Sequence, residues 1–193
     1  LYIGFDIALM PLWMHDHLGA SVAIIGFSYV AWAIPNIIMS PIGGRIADRK
    51  RRSMLILIFG LAQVPLYIIY GLANVAIVII GFFILHGAIY SFIQPTVDAH
   101  VATSSPIDAR ARIQGMYTAA GLIGAFAAAN GFSLLYGLNF RLPLFAIGAS
   151  YGLCVLIGGI MVRISESRGL VSGPGKSDTT FEEQKTDTYA SSP

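Results

Sequence analysis

The side chains able to do chemistry in this 193-residue sequence are few, and most sit in apolar surroundings. Asp6 lies eight residues before Met14, or about 12 Å along a helix that rises ~1.5 Å per residue. A carboxyl in such a run is costly to keep, so it is a candidate for function. Its chemistry would be that of a proton acceptor or of a counter-charge for a cationic solute. A hydrogen-bonded carboxyl with a packing role is the plainer alternative. His86, Tyr90, Gln94 and Asp98 follow one another at four-residue steps. Each step drifts about 40° around a helix, so together they trace one slanting polar stripe. His86 and Tyr90 are candidate solute or proton contacts. Gln94 sits lower, and Asp98 is expected at the surface, in loop chemistry. Interhelical hydrogen bonding would retain the same groups. Tyr29, Trp32, Asn36 and Ser40 share a second face, with Asn36 directly after Pro35, whose missing N–H frees a carbonyl. Packing is the preferred reading of that face.

The strongest local signal is Gly43-Gly44-Arg45-Ile46-Ala47-Asp48-Arg49-Lys50-Arg51-Arg52, read as a loop. Glycine at a helix end lets another backbone come close. Basic residues alone would be explained by membrane orientation, but Asp48 partly cancels them and needs its own reason.

The elements that must carry these residues follow from composition. The chain is 55% hydrophobic and 11% charged, with a mean hydropathy of +0.71. Soluble domains are about a quarter charged, so a water-soluble enzyme is excluded. No Asp, Glu, Lys or Arg occurs over 53–97, 113–140 or 142–162. A crossing takes about 20 apolar residues, and continuous apolar runs without period-2 alternation favour helices over barrel strands. The fold class predicted is an all-α integral membrane bundle with six spans, at 1–14, 22–44, 54–72, 75–97, 113–135 and 142–162. The short first span is read as truncated, and the sequence as a fragment. The bundle covers 1–164. Residues 165–193 are rich in Ser, Thr, Gly and Pro and are predicted to form a disordered tail.

Arg45, Arg49, Lys50, Arg51, Arg52, Arg110, Arg112, Arg163, Arg168, Lys176 and Lys185 fall on one side of this topology, and Arg141 alone on the other. The positive-inside rule places the first group, and the tail, in the cytoplasm. Small residues crowd the fifth span, and Gly148 and Gly152 have GxxxG spacing in the sixth; both are read as packing. Ser105-Pro106-Ile107-Asp108 is read as the start of the fifth helix, with Ser at N-cap and Pro at N1.

The 43–52 segment resembles the signature loop G-x-x-x-D-[RK]-x-G-[RK]-[RK] of the major facilitator superfamily. Gly44, Asp48, Arg49 and Arg52 match it, while Arg51 stands at the second glycine and Ser53 at the last basic position. Leu18-Gly19-Ala20-Ser21 after Pro11, Pro41 to Gly44, and Arg112-Ile113-Gln114-Gly115 resemble other parts of that fold. Such transporters have two six-helix halves, so the chain looks like one half. The second half is favoured, because Phe83 to Gly87 holds no arginine, Gly121 to Gly131 holds no proline, and the polar tail suits a C-terminus. A linker after a first half would look similar.

The resemblance implies a secondary active transporter of a small solute by alternating access, for drug efflux or metabolite traffic. Its partners would be the solute, protons if it is proton-coupled, the other six-helix half and membrane lipid, with no nucleic acid. It also implies a gating role for Gly44, Asp48, Arg49 and Arg52, with Arg112 or Arg110 as the partner of Asp48. A non-transporting membrane scaffold or sensor of the same fold is the alternative. An enzyme is disfavoured, because paired acids or a nucleophile with its base are not evident. No cofactor is expected. The lone Cys154, and the lack of a His/Cys/carboxylate cluster, point to no metal. The expected location is the cell membrane, plasma or inner.

Overall fold

The structure, a computed structural model, describes residues 2–168, except for the side chains of 2–5 and 7. Six helices follow in order: α1 (Tyr2–Leu18), α2 (Val22–Arg49), α3 (Arg52–Leu72), α4 (Ala76–Ser104), α5 (Arg110–Leu138) and α6 (Leu142–Ser167). No strand occurs among the described residues. Helices α2 to α6 are each long and apolar enough to cross a membrane. Prolines 11, 35, 41, 65 and 95 all lie inside helices. Neighbouring helices and local adjustments make proline tolerable in such bundles.

The apolar runs predict each helix, but the helices continue beyond them. Helix α2 continues through the basic segment to Arg49, so residues 43–49 are helical and the turn is reduced to Lys50 and Arg51. Hydrogen bonding along a helix does not stop at the lipid boundary, and nothing in this segment breaks it. Ser105 caps the end of α4 instead of opening α5, its hydroxyl donating to the Val101 carbonyl at 2.6 Å. Residues 106–109 form a turn closed by Ala109 N–H to Pro106 O, and α5 begins at Arg110. Helix α6 reaches Ser167, which takes 165–167 out of the predicted tail. The rest of the predicted tail, residues 169–193, lies outside the described residues. On the opposite side of the bundle, Gly19, at φ +61°, turns the chain from α1 into α2.

Four helix pairs build the bundle: α2 with α4, α3 with α6, α3 with α4, and α1 with α5. Lipid gives helices no hydrophobic drive to associate, so close backbone approach must hold them. A Cβ on Gly87 would stand 2.0 Å from the Trp32 carbonyl oxygen, and one on Gly43 would stand 2.2 Å from that of Ser91. These two contacts fix α2 against α4 at two levels. Gly148 and Gly152 do pack, against Tyr67 and Val64 of α3. The small residues of α5 pack only in part within this bundle. Ala128 is its one buried residue, and Gly115, Gly121 and Gly131 face open space. The core gathers Met10, Trp13, Met14, Leu66, Tyr67, Tyr70, Ile79, Phe83, Leu144 and Ile147 at one end of the bundle.

Candidate functional site

Asp6 is half-buried on α1, twelve residues before its end, or roughly 18 Å along the axis. Its backbone carbonyl accepts a hydrogen bond from the Tyr29 hydroxyl of α2. Its carboxyl lies within electrostatic range of the hydroxyls of Tyr29, Tyr70 and Tyr151, on α2, α3 and α6. The hydrogen bond from Tyr29 is thus to its backbone, and the phenols on three helices lie within electrostatic range of its carboxyl.

Tyr70 of α3 reaches the polar stripe of α4, its hydroxyl lying 3.2 Å from His86 Nδ1. His86 is only 2% exposed. Tyr67 meets it edge-on, with ring centroids 5.6 Å apart, and the Tyr70 ring stacks at 6.1 Å. Its Nε2 has no hydrogen-bond partner among the described residues. His86 thus lies inside the wall between α3 and α4, while the rest of the stripe is half-buried.

That remainder is a continuous ladder. The Tyr90 hydroxyl donates to Gln94 Oε1 at 2.7 Å, and Gln94 Nε2 donates to both Asp98 oxygens at 3.0 Å. Four-residue spacing on a continuous helix brings these groups into line. Asp98, expected in loop chemistry, is helical instead, because α4 runs on to Ser104. It opens onto a cleft of about 580 Å³ shared with Ala102, Ile107, Arg110, Ala111 and Gln114, between the ends of α4 and α5. At the upper end, the Trp32 ring lies 5.4 Å from that of Tyr90. Asn36 accepts from Ser40 at 3.0 Å, one helical turn apart on α2.

The expected gating group is not closed on itself. Asp48 and Arg49 are exposed at the end of α2, and Asp48 has no ion pair with Arg110 or Arg112 among the described residues. The close backbone approach of this segment falls at Gly43, and Gly44 faces open space. Arg52 instead donates to the Thr103 hydroxyl of α4. Next to it, Glu166 of α6 accepts from the Ser53 amide at 3.2 Å and from its hydroxyl at 2.5 Å. This carboxylate satisfies an otherwise orphaned N–H in the first turn of α3. Sequence reasoning misses the contact by placing Glu166 in the tail. The available signal was the absence of a helix breaker between Val162 and Arg168.

The opposite end carries a smaller polar group. Asp16, exposed beyond the apolar part of α1, lies 3.1 Å from His15 Nδ1 and accepts from Tyr136 of α5 at 3.2 Å. The hydrogen bond from His15, and then that from Tyr136, hold its carboxyl below the usual carboxylate range. His17 stacks on Phe140, with centroids 3.9 Å apart. No group of three or more His, Cys, Asp or Glu able to hold a metal occurs among the described residues.

Comparison with known proteins agrees with this architecture. The family profile described as Major Facilitator Superfamily matches residues 2–187. "Multidrug resistance protein 2" of Bacillus subtilis (strain 168) is 33% identical over 154 residues, covering 77% of this chain and 37% of the relative. "Multidrug resistance protein 1" of the same organism is 28% identical over 166 residues, covering 86% of this chain and 42% of the relative. The chain thus spans about two fifths of the length of these curated relatives. Six helices, five of them long and apolar enough to span a membrane, and a profile match over nearly the whole chain lead to one assignment: the chain belongs to the major facilitator superfamily.

Proposed function

We propose that this chain is one six-helix half, the C-terminal one, of a secondary active transporter that exports lipophilic, cationic small molecules by alternating access. The observation that carries the reading is the Tyr90–Gln94–Asp98 ladder, which runs from the Trp32 ring to the cleft beside Arg110. Polar groups in such a line are costly in lipid unless they serve one another or a passing solute. The names of the two relatives favour drugs over sugars or metabolites. Aromatic faces at Trp32 and Tyr90 suit a flat, cationic solute, since ring quadrupoles attract cations.

The partner half covers the side of the bundle that α5 leaves open, where Gly115, Gly121 and Gly131 would admit a closely packed helix. Substrate binds between the halves near mid-membrane, and the halves rock about it. Asp6 exchanges the coupling proton, with Tyr29, Tyr70 and Tyr151 around it. His86 positions Tyr70 and does not touch the solute. Asn36 and Tyr90 border the path, and Gln94 and Asp98 continue it to the cytoplasm. Gly44, Asp48 and Arg112 belong to the surface that closes against the other half in one access state, and Arg49 lies on a different face of α2. Arg52 anchors that surface to α4. The transporter resides in the cell membrane, with the 169–193 tail in the cytoplasm.

The test is flux by the full-length protein in proteoliposomes under an imposed proton gradient. Uphill movement of a fluorescent lipophilic cation, lost on Asp6→Asn and reduced on Gln94→Leu, supports the reading. Gradient-driven flux that Asp6→Asn leaves intact would discard Asp6 as the coupling site. No flux under any gradient would favour a scaffold or sensor.

A further inference from the structure

An apolar groove of about 380 Å³ runs along the seam between α2 and α4, lined chiefly by Phe27, Ala31, Ile34, Ile38, Ile80 and Ile84. Its polar lining is negligible. It exists because Ala31 is small where its neighbours along the stripe are large. On α2 the groove lies nearly opposite Tyr29, Asn36 and Ser40 by helical geometry, so it is not part of the solute path. From Phe27 to Met39 it covers twelve residues, about 18 Å, on the scale of one leaflet of a hydrocarbon core about 30 Å thick.

The same face of α2 continues downward through Ile38, Ile42, Arg45 and Arg49 at four- and three-residue steps. Arg45 stands six residues below Met39, about 9 Å further along the axis. Both arginines are exposed, and neither has an ion-pair or hydrogen-bond partner among the described residues. Asp48 is close in sequence and offsets one charge, leaving the surface cationic with Lys50 and Arg51. An apolar slot one leaflet deep, with two unpaired guanidinium groups just below it, has the chemistry of one ligand class. Guanidinium forks match phosphate oxygens, and each basic residue near an anionic leaflet adds to the attraction.

We infer that the α2–α4 groove is a binding site for an anionic phospholipid of the cytoplasmic leaflet, with an acyl chain along Phe27–Ile84 and the phosphate on Arg45 and Arg49. The occupant is a lipid and not the second half of the transporter, because the slot faces away from the α2 side that carries Asn36 and Ser40.

The test uses the full-length transporter in mild detergent, equilibrated with equimolar phosphatidylglycerol and phosphatidylcholine, with retained lipid counted by native mass spectrometry. The site predicts about a tenfold preference for phosphatidylglycerol, falling to within about twofold in Arg45→Gln/Arg49→Gln. Ile84→Trp, which fills the slot, should reduce retention of both lipids. As a second measurement, a photo-crosslinking residue replacing Ile38 in native membranes should capture phospholipid. Equal retention of the two lipids, a preference unchanged by the double arginine variant, or a crosslink from position 38 to the other half of the transporter would overturn the assignment.

Discussion

The Tyr70 hydroxyl and His86 Nδ1 meet 3.2 Å apart in the buried seam between α3 and α4, and Tyr70 in turn lies within the electrostatic reach of Asp6. One phenol thus ties α3 to the histidine of α4. Tyr70→Phe and His86→Leu should therefore be non-additive. Interhelical bonds in membrane proteins average about 0.6 kcal/mol and reach about 1.7. A double-mutant cycle in detergent-induced unfolding of the full-length protein should give a coupling in that range. Additive losses would mean that the two groups only share space.

Glycine holds α2 against α4. Gly87→Ala and Gly43→Ala each drive a methyl group into a backbone carbonyl, at 2.0 and 2.2 Å. Alanine is the better helix former by about 1 kcal/mol, yet a clash with backbone has no rotamer to relieve it. Each change should cost about 1–3 kcal/mol net and lower the yield of folded protein. Gly44→Ala, with open space around it, should leave the thermal midpoint of this bundle unchanged or slightly raised. Equal effects at 43 and 44 would contradict the packing described.

At the end of the bundle that carries the basic turn, Glu166 ties α6 to the first turn of α3. Glu166→Ala removes a charged acceptor from the buried Ser53 hydroxyl and amide, a loss of about 1–3 kcal/mol. Fluorescence or spin-label distances between the ends of α3 and α6 should broaden in this variant. A distance distribution identical to that of the parent would show that the contact carries no weight.

At the other end, Asp16 contributes a pH-dependent contact between α1 and α5. Its carboxyl is held below the ordinary range by His15 and Tyr136. A depressed acid stabilises the folded arrangement above its unfolded-chain pKa, and that contribution fades as pH falls through the lower folded value. Spin-label distances between the ends of α1 and α5 should therefore stay constant from neutral pH to about pH 4. They should lengthen only below it, and Tyr136→Phe should reduce the response. Lengthening already near pH 6 would point to the histidines instead.

The sequence makes the helices legible because lipid imposes one rule everywhere: the backbone must satisfy itself, so uncharged apolar runs become helices. Their ends are less legible. The uncharged run stops at Gly44, but helical hydrogen bonding continues to Arg49, and only the short turn at Lys50 and Arg51 interrupts it. Ser105-Pro106 looks like a helix start by residue type, yet Ser105 spends its hydroxyl on Val101 behind it. The Tyr90–Gln94–Asp98 ladder is visible as spacing, since it lies on one helix. Tyr29 with Asp6, Tyr70 with His86, and Ser53 with Glu166 join different helices, and no local pattern encodes which faces meet. The packing glycines are half legible: Gly148 and Gly152 behave as their spacing suggests, while Gly115, Gly121 and Gly131 of α5 face open space.

Water accessibility along α4 tests the central claim most directly. Single cysteines replacing Tyr90, Gln94 and Asp98 in the full-length protein, with Cys154→Ser, can be labelled from either side of sealed vesicles. If the ladder lines an alternating path, position 94 should be labelled from the cytoplasmic side in one state and from the opposite side in the other. A transported cation should shift the ratio. Cysteines at 90 and 94 that stay unlabelled from both sides, with and without the cation, would contradict the account.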